Sequence, residues 1–169
     1  DRVIGTITLS PGGYLILSDA TVTIMDQMIC NQLNGIYDDG GTSTVILKST
    51  VADGGSGTVT IGGGSDVTLH NVEVADGSVV DFDSGGEGNT EVTITNQLKM
   101  GGGSVVVNPP IYGGASTLLY DATYATVGTE WTAGASSGKG VPHHVTVGGS
   151  GSLSFGSTSS NYTCTGNLT

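Results

Sequence analysis

Oxygen-bearing side chains are concentrated in one Gly-rich segment, "DFDSGGEGN", at residues 81–89. Ca²⁺ takes about six to eight oxygen ligands, and a Gly-rich turn allows several of them to converge. The segment lacks a terminal bidentate Glu at the distance expected of a calcium loop. A strand end whose acidic side chains face solvent is the alternative explanation. Calcium is therefore a candidate cofactor, with the candidate ligands Asp81, Asp83, Glu87 and Asn89.

A second candidate site lies in the aromatic segment "TLLYDATYATVGTEW", residues 117–131, which contains the only Trp of the chain. Trp and Tyr rings can stack on a sugar ring, and a carboxylate can add a polar contact. A long loop also needs aromatic side chains to form a small core of its own. The candidate carbohydrate contacts are Trp131, Tyr124 and Glu130.

Catalysis by the other acidic residues finds little support. Hydrolysis of a glycoside needs two carboxylates at a fixed separation. Nothing in the sequence selects such a pair from the central acids, Asp66, Glu73, Asp76 and Asp81. A lyase needs a basic side chain, and Lys48 and Lys99 are the only central cations. We therefore expect no catalytic residues and no enzyme.

The histidines and cysteines lack the spacing of metal or redox sites. His143 and His144 are adjacent, so on a strand they would point to opposite faces, and His70 stands alone. Cys30 and Cys164 form no Cys-x-x-Cys pattern. In an exported protein these two could form a disulfide across the fold, and two free thiols are the alternative.

The charge balance restricts the class of partner. The chain has 15 acidic and 4 basic residues, for a net charge of −11. So few cations cannot neutralise phosphate groups, which excludes nucleic acid, and an anionic membrane surface would repel the chain. The sequence contains no apolar run of about 18 residues, so no transmembrane helix is predicted. We expect no membrane insertion, and the acidic surface favours an extracellular or cell-surface location.

The elements that must position these residues are short strands. Runs such as "GTVTI" (57–61) and "DVTLH" (66–70) place an apolar residue at every second position, and Gly, Ser, Asp and Asn separate the runs. A new apolar pair begins every five to eight positions, which is closer than in a hairpin sandwich. This spacing fits coils of roughly 20 residues with three strands each. The sequence predicts an all-β, right-handed parallel β-helix (β-solenoid), with a β-sandwich or jelly roll as the alternative.

Thr-x-Thr pairs recur along the strands, at Thr6/Thr8, Thr21/Thr23, Thr58/Thr60 and Thr93/Thr95. A flat array of outward Thr on one face of a solenoid would suit an ice-binding surface. Thr is also a favoured outward residue on any strand. An ice-binding solenoid is therefore a lesser alternative function.

The segment "STLLYDATYATVGTEWTAGASSGKGVPHHVTVGGSGSLSF" (116–155), with the closing "YTCTGNLT", resembles a recurrent segment of large repetitive β-helix proteins. These are secreted and cell-surface proteins of the Bacteroidota, many of them type IX secretion system cargo. The most specific elements are Glu130-Trp131 and Val141-Pro142, and the upstream coils match only in style. The resemblance implies an adhesin-like or structural protein, no catalytic residues to carry over, and a native polypeptide that extends past Thr169.

We therefore expect a single β-helix domain over 1–169, as a segment of a longer polypeptide. Irregular coils fill 1–115 and an enlarged, family-like coil fills 116–169, with an elaborated loop near 120–142. The expected function is a non-enzymatic structural or adhesive segment of a bacterial secreted protein that could self-associate end to end. The expected partners are other protein chains, as a homo-oligomer, filament or secretion machinery, or a surface polysaccharide. The main alternative is a carbohydrate-binding or polysaccharide-cleaving β-helix protein.

Overall fold

Short strands form the regular structure of the residues that the computed structural model describes, and no helix occurs among them. Those residues are 2–9, 15–17, 20–30, 36–38, 43–49, 57–64, 66–83, 91–121, 127–148, 152–155 and 161–169. The strands are β1 (Arg2–Leu9), β2 (Leu15–Leu17), β3 (Thr21–Cys30), β4 (Ile36–Asp38), β5 (Thr44–Leu47), β6 (Val59–Gly63), β7 (Val67–Val74), β8 (Val79–Asp81), β9 (Val92–Met100), β10 (Val105–Val106), β11 (Ile111–Tyr112), β12 (Thr117–Tyr120) and β13 (His144–Val147).

These strands pair in parallel. Eleven of them form one curved sheet, and β2 pairs with β4 in a second sheet. Hairpins pair their strands antiparallel, so this pairing does not fit the sandwich alternative. The all-β prediction is confirmed, and the stacked parallel strands are consistent with a β-solenoid.

The longest stack of strands, called face A here, contains the first halves of β1 and β3, then β5, the second halves of β7 and β9, and β12 and β13. One inward position of each strand pairs with the same position in the next coil. These paired positions lie 20 to 27 residues apart. Each of them defines one coil, and the coils are numbered one to eight in this order: Arg2, Val22, Val45, Val72, Leu98, Leu118, Val145 and Leu168.

Two shorter stacks, in addition to the β2–β4 pair, occur in the described residues. Face B contains the second halves of β1 and β3 with β6, β8 and β10, and face C contains the first halves of β7 and β9 with β11. The β7–β9 register shifts between Leu69 and Asn71, where the chain turns from face C to face A. Because such a strand serves two faces, two runs that look separate in the sequence, "DVTLH" and "VEV", form the single strand β7.

The core is built from the inward side chains of the three faces. On face A, the six inward residues from Val22 to Val145 are at most 6% exposed. Each lies in register with the equivalent side chain of the neighbouring coils, and full burial of one Val or Leu contributes about 1.5–3 kcal/mol. Contacts between coils therefore supply most of the stabilisation, as expected for a stacked repeat.

Tight turns end face A in the central coils. In coil five, Ser104 Oγ donates to Gly101 O at 2.7 Å, and Gly103 has a φ of 68° that favours glycine. Gly101 has no room for a side chain, because an added Cβ would lie 2.7 Å from Val74 O in the coil before it. Adjacent coils thus approach each other closely at this corner.

Candidate functional site

A buried carboxyl group forms the centre of a hydrogen-bonded cluster at the C-terminal end of the stack. Tyr120, at the end of β12, donates its hydroxyl to Glu130 Oε1 at 3.0 Å, and Gly128 N donates to the same oxygen at 2.8 Å. Tyr112, at the end of β11, donates its hydroxyl to the Glu130 backbone oxygen at 2.8 Å. Two inward tyrosines from successive strands therefore hold the turn that carries Glu130.

The environment of Glu130 disfavours its charged form. The side chain is 0% exposed, and Oε2 has no hydrogen-bond partner among the described residues. Burial raises the pKa of Glu130, and hydrogen bonds from the Gly128 and Glu130 backbone and the Tyr120 hydroxyl oppose this effect. Burial also raises the pKa of Tyr112 well above its ordinary value, and the Glu130 charge adds to that increase.

Trp131 is the centre of an aromatic cluster next to this carboxyl group. It is 2% exposed, and its Nε1 donates to Thr163 O at 2.9 Å. Phe155 and Tyr162 lie edge-on to the indole, with ring centroids 5.6 and 5.5 Å away. This geometry is favourable for aromatic pairs. Through these contacts Trp131 packs the segments that contain Phe155 and Tyr162 against the turn at residues 128–131.

Two of the three predicted sugar contacts lie in the described residues, and both are buried. Glu130 and Trp131 are buried, so neither presents a polar group or a ring face to a sugar, and Tyr124 lies outside the described residues. The exposed ring of the cluster is Phe155, at 38%. It lies beside a shallow depression of about 460 Å³ lined by Trp131, Phe155, Asn161, Tyr162, Cys164 and Leu168.

Sequence reasoning missed Phe155 and Tyr162 as partners of Trp131. Phe155 follows Trp131 by 24 residues, which is within the range of one coil, and Tyr162 follows it by 31 residues, which is slightly more than one coil. Coil-length spacing is therefore the signal that could have identified them.

The predicted calcium ligands are only partly described. Asp81 Oδ1 accepts hydrogen bonds from Asp83 N and from Asn108 Nδ2, both at 2.9 Å. Asp83 Oδ2 lies 3.2 Å from Lys139 Nζ. Glu87 and Asn89 lie outside the described residues. Within the described part of the chain, no three His, Cys, Asp or Glu side chains converge on a metal position, and calcium binding stays a prediction.

The central acids do not form a free carboxylate pair in the described structure. Asp76 Oδ1 accepts from Gly102 N at 2.7 Å, and Asp66 Oδ1 accepts from Glu91 N at 3.2 Å. These hydrogen bonds give both side chains a structural role. Asp81 also has a structural role, because it accepts hydrogen bonds from Asp83 N and Asn108 Nδ2.

Glu73 borders a groove of about 490 Å³ that also contains a lysine between two acids. Lys99 Nζ lies 3.0 Å from Asp121 Oδ2 and 3.7 Å from Glu73 Oε2. The hydrogen bond to Asp121 raises the pKa of Lys99, burial opposes this, and Glu73 raises it further. Lys99 is therefore held in its charged form, which is unsuitable for a general base.

The histidines contact neighbouring coils. His143 Nδ1 lies 2.7 Å from Thr165 Oγ1, and His144 Nδ1 accepts a hydrogen bond from Asn167 N at 3.0 Å. The two imidazoles were expected on opposite faces, but their centroids are 4.3 Å apart. The alternation rule does not apply to this pair, because β13 begins only at His144.

The predicted disulfide is incompatible with the stacking. Cys164 carries a free thiol, and its side chain is partly exposed. Cys30 belongs to coil two, and Cys164 immediately precedes coil eight. At about 4.8 Å per coil their backbones are more than roughly 20 Å apart, whereas a disulfide needs Cα atoms within about 7 Å. The register therefore excludes this pairing within one chain.

The Thr-x-Thr pairs do not stack on one another. Thr6 pairs with Gln27 on face B, whereas Thr93 lies on face C between Thr68 and Ile111. Thr60 pairs with Gln27 and Asp81. The threonines are thus spread over several faces and separated by other residue types, which gives the ice-binding alternative no continuous array.

No helix in the described residues is long and apolar enough to cross a membrane. Comparison with protein-family models, curated proteins and solved structures finds no match for this chain. The resemblance to secreted β-helix proteins of the Bacteroidota therefore stays a prediction based on the quoted segments.

Proposed function

We propose that this chain is a non-enzymatic structural segment of a bacterial secreted or cell-surface protein, in which it acts as a rigid, protease-resistant spacer with an adhesive role. One observation carries the proposal. The inward column of face A continues without interruption from Val22 to Val145, through six coils. A continuous column of buried apolar side chains stiffens the stack. No coil can tilt without losing its contacts with the coil before it and the coil after it.

The proposed architecture is a right-handed parallel β-helix with an elaborated loop near 120–142. Strand–crossover–strand connections between parallel strands are right-handed in about 98% of cases. The described residues between β12 and β13 contain no strand, which supports a long connection there.

An extracellular location and a type IX secretion route are supported by the resemblance of residues 116–155 and by the net charge of −11. An adhesive role is supported by the same resemblance, which is to adhesin-like proteins.

The spacer proposal is tested by proteolysis and by assays on polysaccharides. We expect the chain to resist thermolysin for hours and to release no sugar from a panel of acidic and neutral polysaccharides. Leu118→Asn should abolish the resistance, because Leu118 is 0% exposed, whereas Leu119→Asn on the outward side of the same strand is the matched control. Cleavage of any polysaccharide would show that the chain is an enzyme, and rapid proteolysis of the wild type would refute the rigid spacer.

Carbohydrate binding without cleavage is the second candidate, and the exposed ring of Phe155 beside Asn161 supports it. An aromatic ring next to an amide is suited to stack on one sugar face and hydrogen-bond to a hydroxyl. If this depression binds a glycan, Phe155→Ala should lower retention in affinity electrophoresis with that glycan. Val107→Ala is the control, because Val107 is exposed to a similar degree, at 45%.

A further inference from the structure

The outward side of face A carries columns of side chains that are in register between coils. On each four-residue strand the first and third residues point outward. The third residues form one column from coil two to coil seven: Thr23, Ile46, Glu73, Lys99, Leu119 and Thr146. All six are partly exposed, with Glu73 and Lys99 side chains at 34% and 32%.

This column is nearly symmetric in residue type about its midpoint. Glu73 and Lys99 are paired directly in the β7–β9 ladder and have opposite charges. The next positions outward are Ile46 and Leu119, which are both aliphatic. The outermost positions are both threonine. Reversing the order of the coils therefore places each residue opposite one of complementary type.

The neighbouring positions follow the same symmetry. The first residues of the strands form a polar column: Thr21, Thr44, Asn71, Gln97, Thr117 and His144. Its central members are both amides, and the next two are both threonine. At the corner of face A, Lys48 follows the last inward residue of coil three and Asp121 follows that of coil six. Reversal of the coils pairs these two opposite charges as well.

We propose that the outward side of face A is a lateral dimer interface that binds a second copy of this chain with its coils in reverse order. The two-fold axis lies in the interface, parallel to the strands and midway between the second halves of β7 and β9. Glu73 then faces Lys99 of the second copy, and Lys48 faces its Asp121. Ile46 contacts Leu119 of the second copy across the same surface.

Other face-to-face arrangements are less favourable. A two-fold axis along the stack would keep the coil order and reverse the strand direction, so Glu73 and Lys99 would face Asn71 and Gln97 of the second copy. That arrangement forms no opposite-charge pair, and shifting it until the third-residue columns meet would place Glu73 against Glu73 and Lys99 against Lys99, which is strongly unfavourable. The charge order of the column therefore favours the arrangement with reversed coils, in which an isologous contact is self-complementary.

The size of the surface indicates weak association. Six coils at about 4.8 Å and strands of four residues give a projected area of roughly 350 Å² per chain. A stable complex buries about 800 Å² per partner, so we expect a dimer that forms only at high protein concentration. The interface is lateral, so it goes beyond the proposed spacer function and does not depend on it or on contacts at the ends of the stack.

Charge reversal with mixing tests the proposal, by sedimentation equilibrium from about 10 µM to 1 mM. Glu73→Lys places lysines opposite each other, and Lys99→Glu places acids opposite each other. Each variant alone should dimerise at least about tenfold more weakly than the wild type. An equimolar mixture should recover the wild-type affinity, because each interface then contains two opposite-charge pairs. Glu91→Lys is the control, since it makes the same change at an exposed position outside face A.

Circular dichroism establishes that each variant is folded. If Lys99→Glu alone does not fold, the double variant Glu73→Lys/Lys99→Glu replaces it, because exchanging both charges preserves complementarity and should restore the dimer. A wild type that remains monomeric throughout the range overturns the proposal. The proposal is also overturned if Glu73→Lys and Glu91→Lys dimerise with the same affinity. It is equally overturned if neither the mixture nor the double variant regains the wild-type affinity.

Discussion

Replacing the buried Glu130 with Gln should change how the stability of the chain depends on pH. Burial raises the pKa of Glu130 in the folded chain above its ordinary value of 4.5. The folded state therefore retains this proton to higher pH than the unfolded state. The stability that the protonated carboxyl provides is fully present below pH 4.5 and is lost as pH rises through the folded pKa. Gln keeps an acceptor oxygen for Tyr120 and Gly128 and does not ionise.

The expected size of the effect follows from the unpaired oxygen. Ionisation of Glu130 places charge on Oε2, which has no hydrogen-bond partner among the described residues, and an unpaired buried polar group costs about 1–3 kcal/mol, more when it is charged. We therefore expect the wild type to lose about 1–3 kcal/mol relative to Glu130→Gln between roughly pH 4 and pH 8. For a chain of this length that corresponds to roughly 3–9 °C in the unfolding midpoint.

Thermal unfolding followed by circular dichroism at several pH values measures this difference directly. The other carboxyl groups titrate in both proteins, so only the difference between the two curves reports on Glu130. Glu91→Gln, at an exposed position, should give a curve parallel to the wild type. The burial argument is wrong if the curve of unfolding midpoint against pH for Glu130→Gln is also parallel to that of the wild type. It is wrong as well if Glu130→Gln loses more stability than the wild type as pH rises.

Three other substitutions test the packing. Leu98→Ala removes a 0% exposed side chain from the inward column of face A and should cost about 2–5 kcal/mol in urea unfolding. Gly101→Ala should destabilise by more than about 1 kcal/mol, because its Cβ would meet backbone at 2.7 Å, whereas Gly114→Ala has open space and should be nearly neutral. Trp131→Phe loses the hydrogen bond to Thr163 O while keeping an aromatic ring, so chemical unfolding should show a loss of about 1–3 kcal/mol.

The strand pattern of this chain was largely predictable from its sequence. Alternation at Val72 and Val74 marks inward positions, and both side chains are buried on face A. Short apolar pairs at close spacing led to coils of roughly 20 residues, and the register gives steps of 20 to 27. These features are local, because the period of a strand is set within a few residues.

The candidate site was less predictable because its contacts join different coils. Glu130 was a candidate for a sugar contact or for a hydrogen bond to a backbone or hydroxyl group of the loop, and it accepts hydrogen bonds from Gly128 N and the Tyr120 hydroxyl. The sequence did not indicate that tyrosines of two earlier strands enclose it. The aromatic side chains of the loop were expected to form a small core of their own, but the ring partners of Trp131 are Phe155 and Tyr162 from later segments of the chain. The symmetry of the outward column of face A likewise emerges only when the register is known, since its members are separated by a full coil each.

The unequal length of the coils has a consequence for how such a chain can vary. Steps between equivalent positions on face A range from 20 to 27 residues, yet the inward column stays in line. The extra residues must therefore be accommodated between the faces, where lengthening a loop costs little free energy. Insertions at these corners would diversify the outer surface without changing the strand register. Segments grafted into the corners of the central coils would thus be displayed at a regular rise of about 4.8 Å per coil.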